Sequence, residues 1–279
     1  LSIRRQRQMC IRDRSKNKIM KTINLNSDVG EGFGVYDIGN DEQMLANVSS
    51  ANIACGFHAG DPNVMNRVIK TAKKYNVSIG AHPGFNDIWG FGRRKIYMPM
   101  DEIEASVAYQ IGALQAMASA ENTKVTHVKP HGALNNMSSE SRNIAEAITR
   151  GISGVDKQLI LVAVAGSFLF DSGIRSGLKV ASEAYADRSY EDDGNMTSRK
   201  FEHAMIRDAD KAIKQVRSIV LDGIIIANSG KRIPVSVDTI CIHGDEPTGP
   251  AIAFGVKEML EKEGITLAPL PEMQLKQGK

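Results

Sequence analysis

At 279 residues and 42% apolar content, the chain can bury a sizeable core and has about the length of a one-domain α/β barrel. Residues 1–19 carry seven Arg or Lys against one Asp, a net +6 that leaves −3 for residues 20–279, so the basic balance is no sign of nucleic-acid binding by the body. No run approaches the ~18 apolar residues of a membrane span, and Cys10, Cys55 and Cys241 form no CxxC pair, which argues against a disulfide framework or a thiolate zinc cluster and fits a cytosolic enzyme.

Residues 1–19 show neither apolar periodicity nor turn signals, and Met20 stands just ahead of the first strand-like run. The expectation is a non-native or disordered extension over 1–19 and a single catalytic (β/α) domain over 20–279. Thr22–Asn26 and Val48–Ala54 read as the first two buried strands. Asp61-Pro62 then puts a cap residue before Pro at a first helical position, and Val64, Val68, Ala72 and Tyr75 form the apolar stripe. After the strand Val77–Ala81, Asp101 and Glu104 read as a capping box for a helix with Ile103, Val107, Ile111, Leu114 and Ala118 inward. Strands at Lys124–Lys129, Leu159–Ala165, Leu178–Ala184 and Val237–Ile242 alternate with helices at Asn143–Gly151, Ile206–Leu221 and Pro250–Glu263, and with a short one in Ser167–Gly177. The long irregular stretch Tyr185–His203 reads as a cover over a site. Seven alternating units without a linker or repeat predict a parallel barrel, with a doubly wound open sheet as the alternative.

Six of the seven strands end in ionisable residues, with glycine close by in five of them. The first brings Asp28 and Glu31, the second His58, the third His82, and the fourth Lys129 and His131. The sixth brings Glu183, Asp187 and Arg188, and the seventh His243 and Asp245. In a parallel barrel these edges share one mouth, where barrel enzymes place catalysis. Each piece has a plainer reading: a lone His is more often structural, Asp61 can be a helix cap alone, GEGFG a tight turn, and Arg93-Arg94 a solvated pair. The joint pattern suits acid–base chemistry or a hard-ligand metal. There is no GxSxG elbow and no GxxxxGK[ST] loop, and Arg93, Arg94 and Arg199 are further cations.

In NLNSDVGEGFG (24–34), ANIACGFHAGDP (51–62), IGAHPGFNDIWGFGRR (79–94), VKPHGAL (128–134), EAYADRSY (183–190) and CIHGDEP (241–247), the chain resembles the LamB/YcsF family. That resemblance implies a single seven-stranded parallel barrel of the glycoside hydrolase/deacetylase type. It also implies ATP-dependent opening of 5-oxoproline to glutamate, giving ADP and phosphate, with 5-oxoprolinase subunits B and C as partners and ATP bound without a P-loop. Asp28 and Glu183 would then orient or activate water. Glu31, His58, His82, His131 and His243 would share acid–base work or hold the substrate. Lys129, Asp187, Arg188 and Asp245 would line the substrate and phosphate positions. A divalent metal stays open, with Asp28, His82 and His131 as its ligands. Ser27, Asn135, Glu246 and Glu202-His203 depart from the common family pattern. The competing functions are a metal-dependent carbohydrate deacetylase and a non-catalytic binding subunit.

Overall fold

A computed structural model describes residues 22–278, so the expected 1–19 extension and Cys10 lie outside the described residues. Seven strands run parallel around a closed barrel: β1 (Thr22–Val29), β2 (Ser50–Ala54), β3 (Ser78–His82), β4 (Val125–Val128), β5 (Ile160–Val164), β6 (Lys179–Tyr185) and β9 (Thr239–Cys241). The last pairs in parallel with both β6 and β1, which closes the sheet and rules out the open doubly wound alternative. A separate hairpin, β7 (Ile224–Ile226) with β8 (Arg232–Pro234), precedes β9. Two short strands, β10 (Thr266–Leu267) beside β1 and β11 (Lys276–Gln277) beside β6, extend the sheet where the chain crosses the barrel floor.

The crossover helices follow the strands: α1 (Asp41–Leu45), α2 (Pro62–Lys74), α3 (Met100–Ala120), α4 (Gly132–Glu140), α5 (Arg142–Val155), α6 (Phe168–Arg175), α7 (Ala209–Arg217) and α8 (Gly249–Lys262). At α2 the cap forms as expected: the Asp61 carboxylate accepts from the backbone N–H of Asn63 (2.7 Å) and Val64 (3.0 Å), which is worth ~1 kcal/mol. Its other oxygen accepts from Gly34 N at 2.7 Å, fastening the loop after β1. The expected capping box at α3 does not form. The helix starts at Met100 with Pro99 in the cap position, and Glu104 instead pairs with Arg150 at 2.7 Å. Asp101 and Glu102 still lie in the first turn, where the helix dipole favours negative charge. The helix expected over Ile206–Leu221 starts later, at Ala209, because Asp208 caps it by accepting from Lys211 N, and it ends in a π turn, Ser218–Asp222.

The barrel lining is split. Alternate residues of β1 and β2 point inward and are polar: Asn24, Asn26, Asp28, Ser50 and Asn52. Asn24 Nδ2 donates to Ala268 O and Ser50 Oγ, both at 2.8 Å, at the floor. Thr239 Oγ1 links Asn24 to Asn26, and Asn52 Nδ2 donates to Asn26 Oδ1 (2.8 Å) and Asp28 Oδ1 (2.9 Å) at the mouth. Facing this ladder, Ile160, Val162, Ala181 and Leu270 form an apolar cluster. Gly80 leaves room for His127 inside: a Cβ there would strike the imidazole, and the β3–β4 register slips at Ile79/Gly80.

Candidate active site

All eleven residues picked out at strand ends lie at the barrel mouth and are buried, except Asp245, which is partly exposed. β1 runs on to Val29, so Asp28 belongs to the strand itself and is held in register opposite Asn52. Lys129 Nζ lies 3.0 Å from Asp28 Oδ1, 2.9 Å from Glu183 Oε1 and 3.2 Å from Asn26 Oδ1. The ammonium is thus spent on the protein's own carboxylates rather than offered to an anionic ligand. Burial alone would lower the Lys129 pKa, but Asp28, Cys241 and Glu183 hold it well above its ordinary value. Burial likewise works against ionised Asp28, yet His82 and Lys129 outweigh it and keep this carboxyl well below the usual range.

Three imidazoles meet next to Asp28. His82 Nδ1 lies 2.6 Å from the Lys129 carbonyl oxygen and must carry hydrogen to bond it. His131 Nε2 lies 2.8 Å from the Phe91 carbonyl oxygen and must do the same. The opposite nitrogens, His82 Nε2 and His131 Nδ1, are then left with lone pairs that face each other at 3.0 Å. Two acceptors do not attract, so a second proton or a bound cation must sit at this point. Asp28 Oδ2 is 3.3 Å from the same His82 nitrogen, and Glu31 Oε1 is 3.4 Å from the same His131 nitrogen. His58 stacks on His131 with ring centroids 3.7 Å apart and reaches Glu31 Oε1 at 3.1 Å, while its Nδ1 is buried with no partner. Burial first, then neighbouring imidazoles, lowers the pKa of both stacked rings far below that of a free histidine, so both are neutral. Burial, reinforced by Asp28, raises Glu31 to about 7.

This donor set fits a divalent cation. Ligating histidines usually fix their second ring nitrogen on a carbonyl or carboxylate, which is what Lys129 O and Phe91 O do here. The ligand atoms of Glu31, His58, His82 and His131 lie within 4.8 Å of one another, as do those of Asp28, Cys241 and His243. Two glycine positions make the packing feasible. Gly92 has φ +61°, and a Cβ there would lie 2.6 Å from His58 Cβ and 2.8 Å from His131 Cδ2; a Cβ at Gly84 would lie 2.7 Å from His58 Nδ1.

A second unit faces the first. His243 Nδ1 lies 2.8 and 3.0 Å from the two Asp187 oxygens, which leaves its Nε2 lone pair to accept from Arg199 Nη2 at 3.2 Å. Burial works against the ionised Asp187 carboxyl, but His243 lowers its pKa below normal. Tyr185 stacks on His243 at 5.5 Å. Arg188 donates to the carbonyl oxygens of Ala204 and Thr197, and Asp245 pairs with Arg93 at 2.7 Å. Sequence reasoning misses Asn26, Asn52 and Tyr185 as site residues, although polar residues at every second position of β1 signal a polar barrel interior. The stretch expected as a cover is only partly free. Tyr185–Tyr190 are buried, and Gln215 binds the carbonyls of Tyr185, Ala186 and Arg188, so only the later part lies at the surface.

Residues 23–275 match the LamB/YcsF family. A protein of Natranaerobius thermophilus named as a 5-oxoprolinase subunit is 47% identical over 251 residues, covering 90% of this chain and 98% of the relative. A protein from Staphylococcus carnosus that carries the same name is 48% identical, covering 89% and 98%. The crystal structure of a lactam utilization protein from Thermus thermophilus superposes with a TM-score of 0.85 at 38% identity, over 89% of this chain and all of that one. The catalytic domain of a peptidoglycan N-acetylglucosamine deacetylase from Eubacterium rectale matches at TM-score 0.50 and 13% identity over 95% of each chain, a likeness of fold alone. No helix among the described residues is long and apolar enough to cross a membrane.

Proposed function

Since the chain belongs to the LamB/YcsF family, we propose that it is the barrel component of a 5-oxoprolinase, opening the lactam of 5-oxoproline to glutamate with ATP as co-substrate and subunits B and C as partners. The observation that carries this reading is the meeting of His82 and His131 lone pairs between two carboxylates of opposite character, one ionised and one poised near neutrality. A five-membered lactam is a stable amide. Phosphorylation of its carbonyl oxygen turns the carbonyl carbon into a good electrophile, and water can then add.

Glu31, at about 7, can take a proton from water as its oxygen bonds to that carbon, then deliver it to the ring nitrogen as the C–N bond breaks. This leaves an acyl phosphate on the opened chain, and its hydrolysis by a second water releases phosphate and the glutamate side-chain carboxylate. Asp28 stays ionised and, held by Lys129 and Asn52, orients the water rather than exchanging protons. Asp187 fixes the His243 tautomer, so that His243 Nε2 accepts from Arg199 and holds that guanidinium on the other side of the mouth. A divalent ion held by Asp28, His82 and His131 would supply polarisation of the carbonyl.

The test is an assay of glutamate and phosphate release with the chain alone and with both partner proteins. The expected result is ATP-linked glutamate release only in the complete mixture, abolished by Glu31→Gln. Absence of glutamate from every mixture would count against the reading. ATP-independent release of acetate from an N-acetyl sugar would favour the deacetylase that the histidine pair also suits.

A further inference from the structure

The mouth is divided by charge. One side holds Asp28, Glu31 and Glu183 with the three clustered imidazoles. Beyond it three guanidinium groups crowd one another, Arg93 bordering the imidazoles through Phe91 and Arg188 and Arg199 lying beside it. Arg93 is matched by Asp245 and lies 4.8 Å from the Phe91 ring centroid. Arg188 is only 6% exposed and uses Nε and Nη2 on the backbone carbonyls of Ala204 and Thr197. Arg199 is half-buried and uses one Nη2 hydrogen bond, on His243 Nε2. Among the described residues neither Arg188 nor Arg199 has a carboxylate within 4.0 Å, and Nη1 of each makes no hydrogen bond to protein. The acids that act on Arg199 are Asp245, which is paired with Arg93 through Oδ2, and Asp187, which has both oxygens engaged by His243.

Burying a guanidinium without a counter-charge is costly, so a site that keeps two of them is built for an anion. Burial, then repulsion from Arg93 and Arg188, pulls Arg199 down to about 10, and burial lowers Arg188 as well. The arrangement also fixes which anion. A small lactam whose ring amide reaches Asp28 and Glu31 cannot place its own carboxylate beside them, because like charges repel. His243 bridges the two sides: its ring contacts Arg199 at 3.2 Å and shares a 4.8 Å cluster with Asp28 and Cys241. One small molecule can therefore span the gap.

We propose that Arg199 and Arg188 receive the carboxylate of the cyclic-amide substrate, so that Arg199, carried by the segment after β6, selects acidic lactams over neutral ones. This rests on the lactam-opening reading. The planar fork suits a carboxylate end-on or side-on, which a lysine ammonium matches less well.

The experiment compares 5-oxo-L-proline with its neutral carboxamide and with 2-pyrrolidinone in the reconstituted enzyme, for wild type, Arg199→Gln and Arg199→Lys. The ratio of kcat/KM for 5-oxo-L-proline to that for the neutral lactams should fall by about 10–100-fold in Arg199→Gln, mainly through KM, and recover in part in Arg199→Lys. An unchanged ratio overturns the proposal. So does a variant that loses inhibition by inorganic phosphate but keeps the ratio, since the site would then belong to phosphate. Calorimetric titration of 5-oxo-L-proline and its carboxamide into the chain alone reads the same preference without turnover. If wild type binds the acid in preference but opens no lactam, the functional reading fails while the anion site stands. If lactam opening persists and the preference does not depend on Arg199, the anion site fails alone.

Discussion

Replacing Lys129 by Met should be among the most damaging single changes to the barrel. The side chains of Lys129, Asp28 and Glu183 are 2%, 8% and 1% exposed, so solvent screens none of them. Removing the ammonium strands two buried carboxylates that face it at 3.0 and 2.9 Å. Breaking a buried pair in this way costs about 3–5 kcal/mol. For a domain of this size that corresponds to a loss of about 6–20 °C in Tm. The sign with pH follows from the shifts. Asp28, whose folded pKa is depressed, contributes stability above its unfolded value of ~3.9 and loses it as pH falls through the folded value; Lys129, whose folded pKa is raised, contributes below ~10.4 and loses it only above the folded value. The wild-type share of this pair should therefore be flat between about pH 5 and pH 9, whereas the stranded carboxylates of the variant should cost more as pH rises and they ionise. Urea unfolding followed by circular dichroism measures it, and adding Glu183→Gln to Lys129→Met should recover part, since one stranded charge is removed. A loss under ~1 kcal/mol, the range of exposed pairs, would refute the assignment of Lys129 as the buried counter-ion.

Gly92→Ala should lower stability by about 1–3 kcal/mol, through its positive φ and the collision with His58 and His131, and lower activity more than Gly154→Ala, where a Cβ meets nothing; equal effects in melting and rate assays would contradict this. Equilibrium dialysis against a divalent transition-metal ion, followed by elemental analysis, should leave a stoichiometric ion on wild type and little on His82→Ala or His131→Ala; equal retention by all three would remove the cation from the site. His127 is drawn down to about 3, by burial first and then by Lys129, so it must be neutral in the fold. Its contribution is present above the unfolded value of ~6.5 and lost as pH falls towards the folded value, adding a slope of up to ~1.4 kcal/mol per pH unit that His127→Asn should remove from the unfolding profile. Matching slopes in the two proteins would mean that His127 does not titrate there.

The barrel strands are legible in the sequence because strands covered on both faces read as short continuous apolar runs, and the helices with clear stripes, such as Val64, Val68 and Ala72, are legible for the same reason. Helix α4 is not. Its sequence, Gly132–Glu140, is rich in Asn and Ser and has no long stripe, and it forms by burying Ala133, Leu134 and Met137 against its neighbours. The β7–β8 hairpin is three residues a side and falls below the length at which alternation can be seen. At the site, His and Asp residues at strand ends are visible because barrel topology gathers those ends. The atoms that fix their tautomers, Lys129 O and Phe91 O, belong to the backbone and have no signature in side-chain identity. Arg199 is visible as a cation, but its position against His243 depends on the path of residues 191–203, which local pattern does not specify.

The two-sided barrel lining bears on how the sequence can drift. On the β5 side, Val162 and Ala181 pack in an apolar cluster with Ile160 and Leu270, and one hydrocarbon of similar volume can replace another at small cost. On the β1 side each amide answers to two or three others, so a change at Asn24 on the floor reaches Asp28 at the mouth through Thr239, Asn26 and Asn52. Substitutions accumulated over time should thus gather on one wall of the barrel. The other wall should change only in concerted sets, and a library meant to alter the activity would best randomise the β5 wall and leave the amide wall intact.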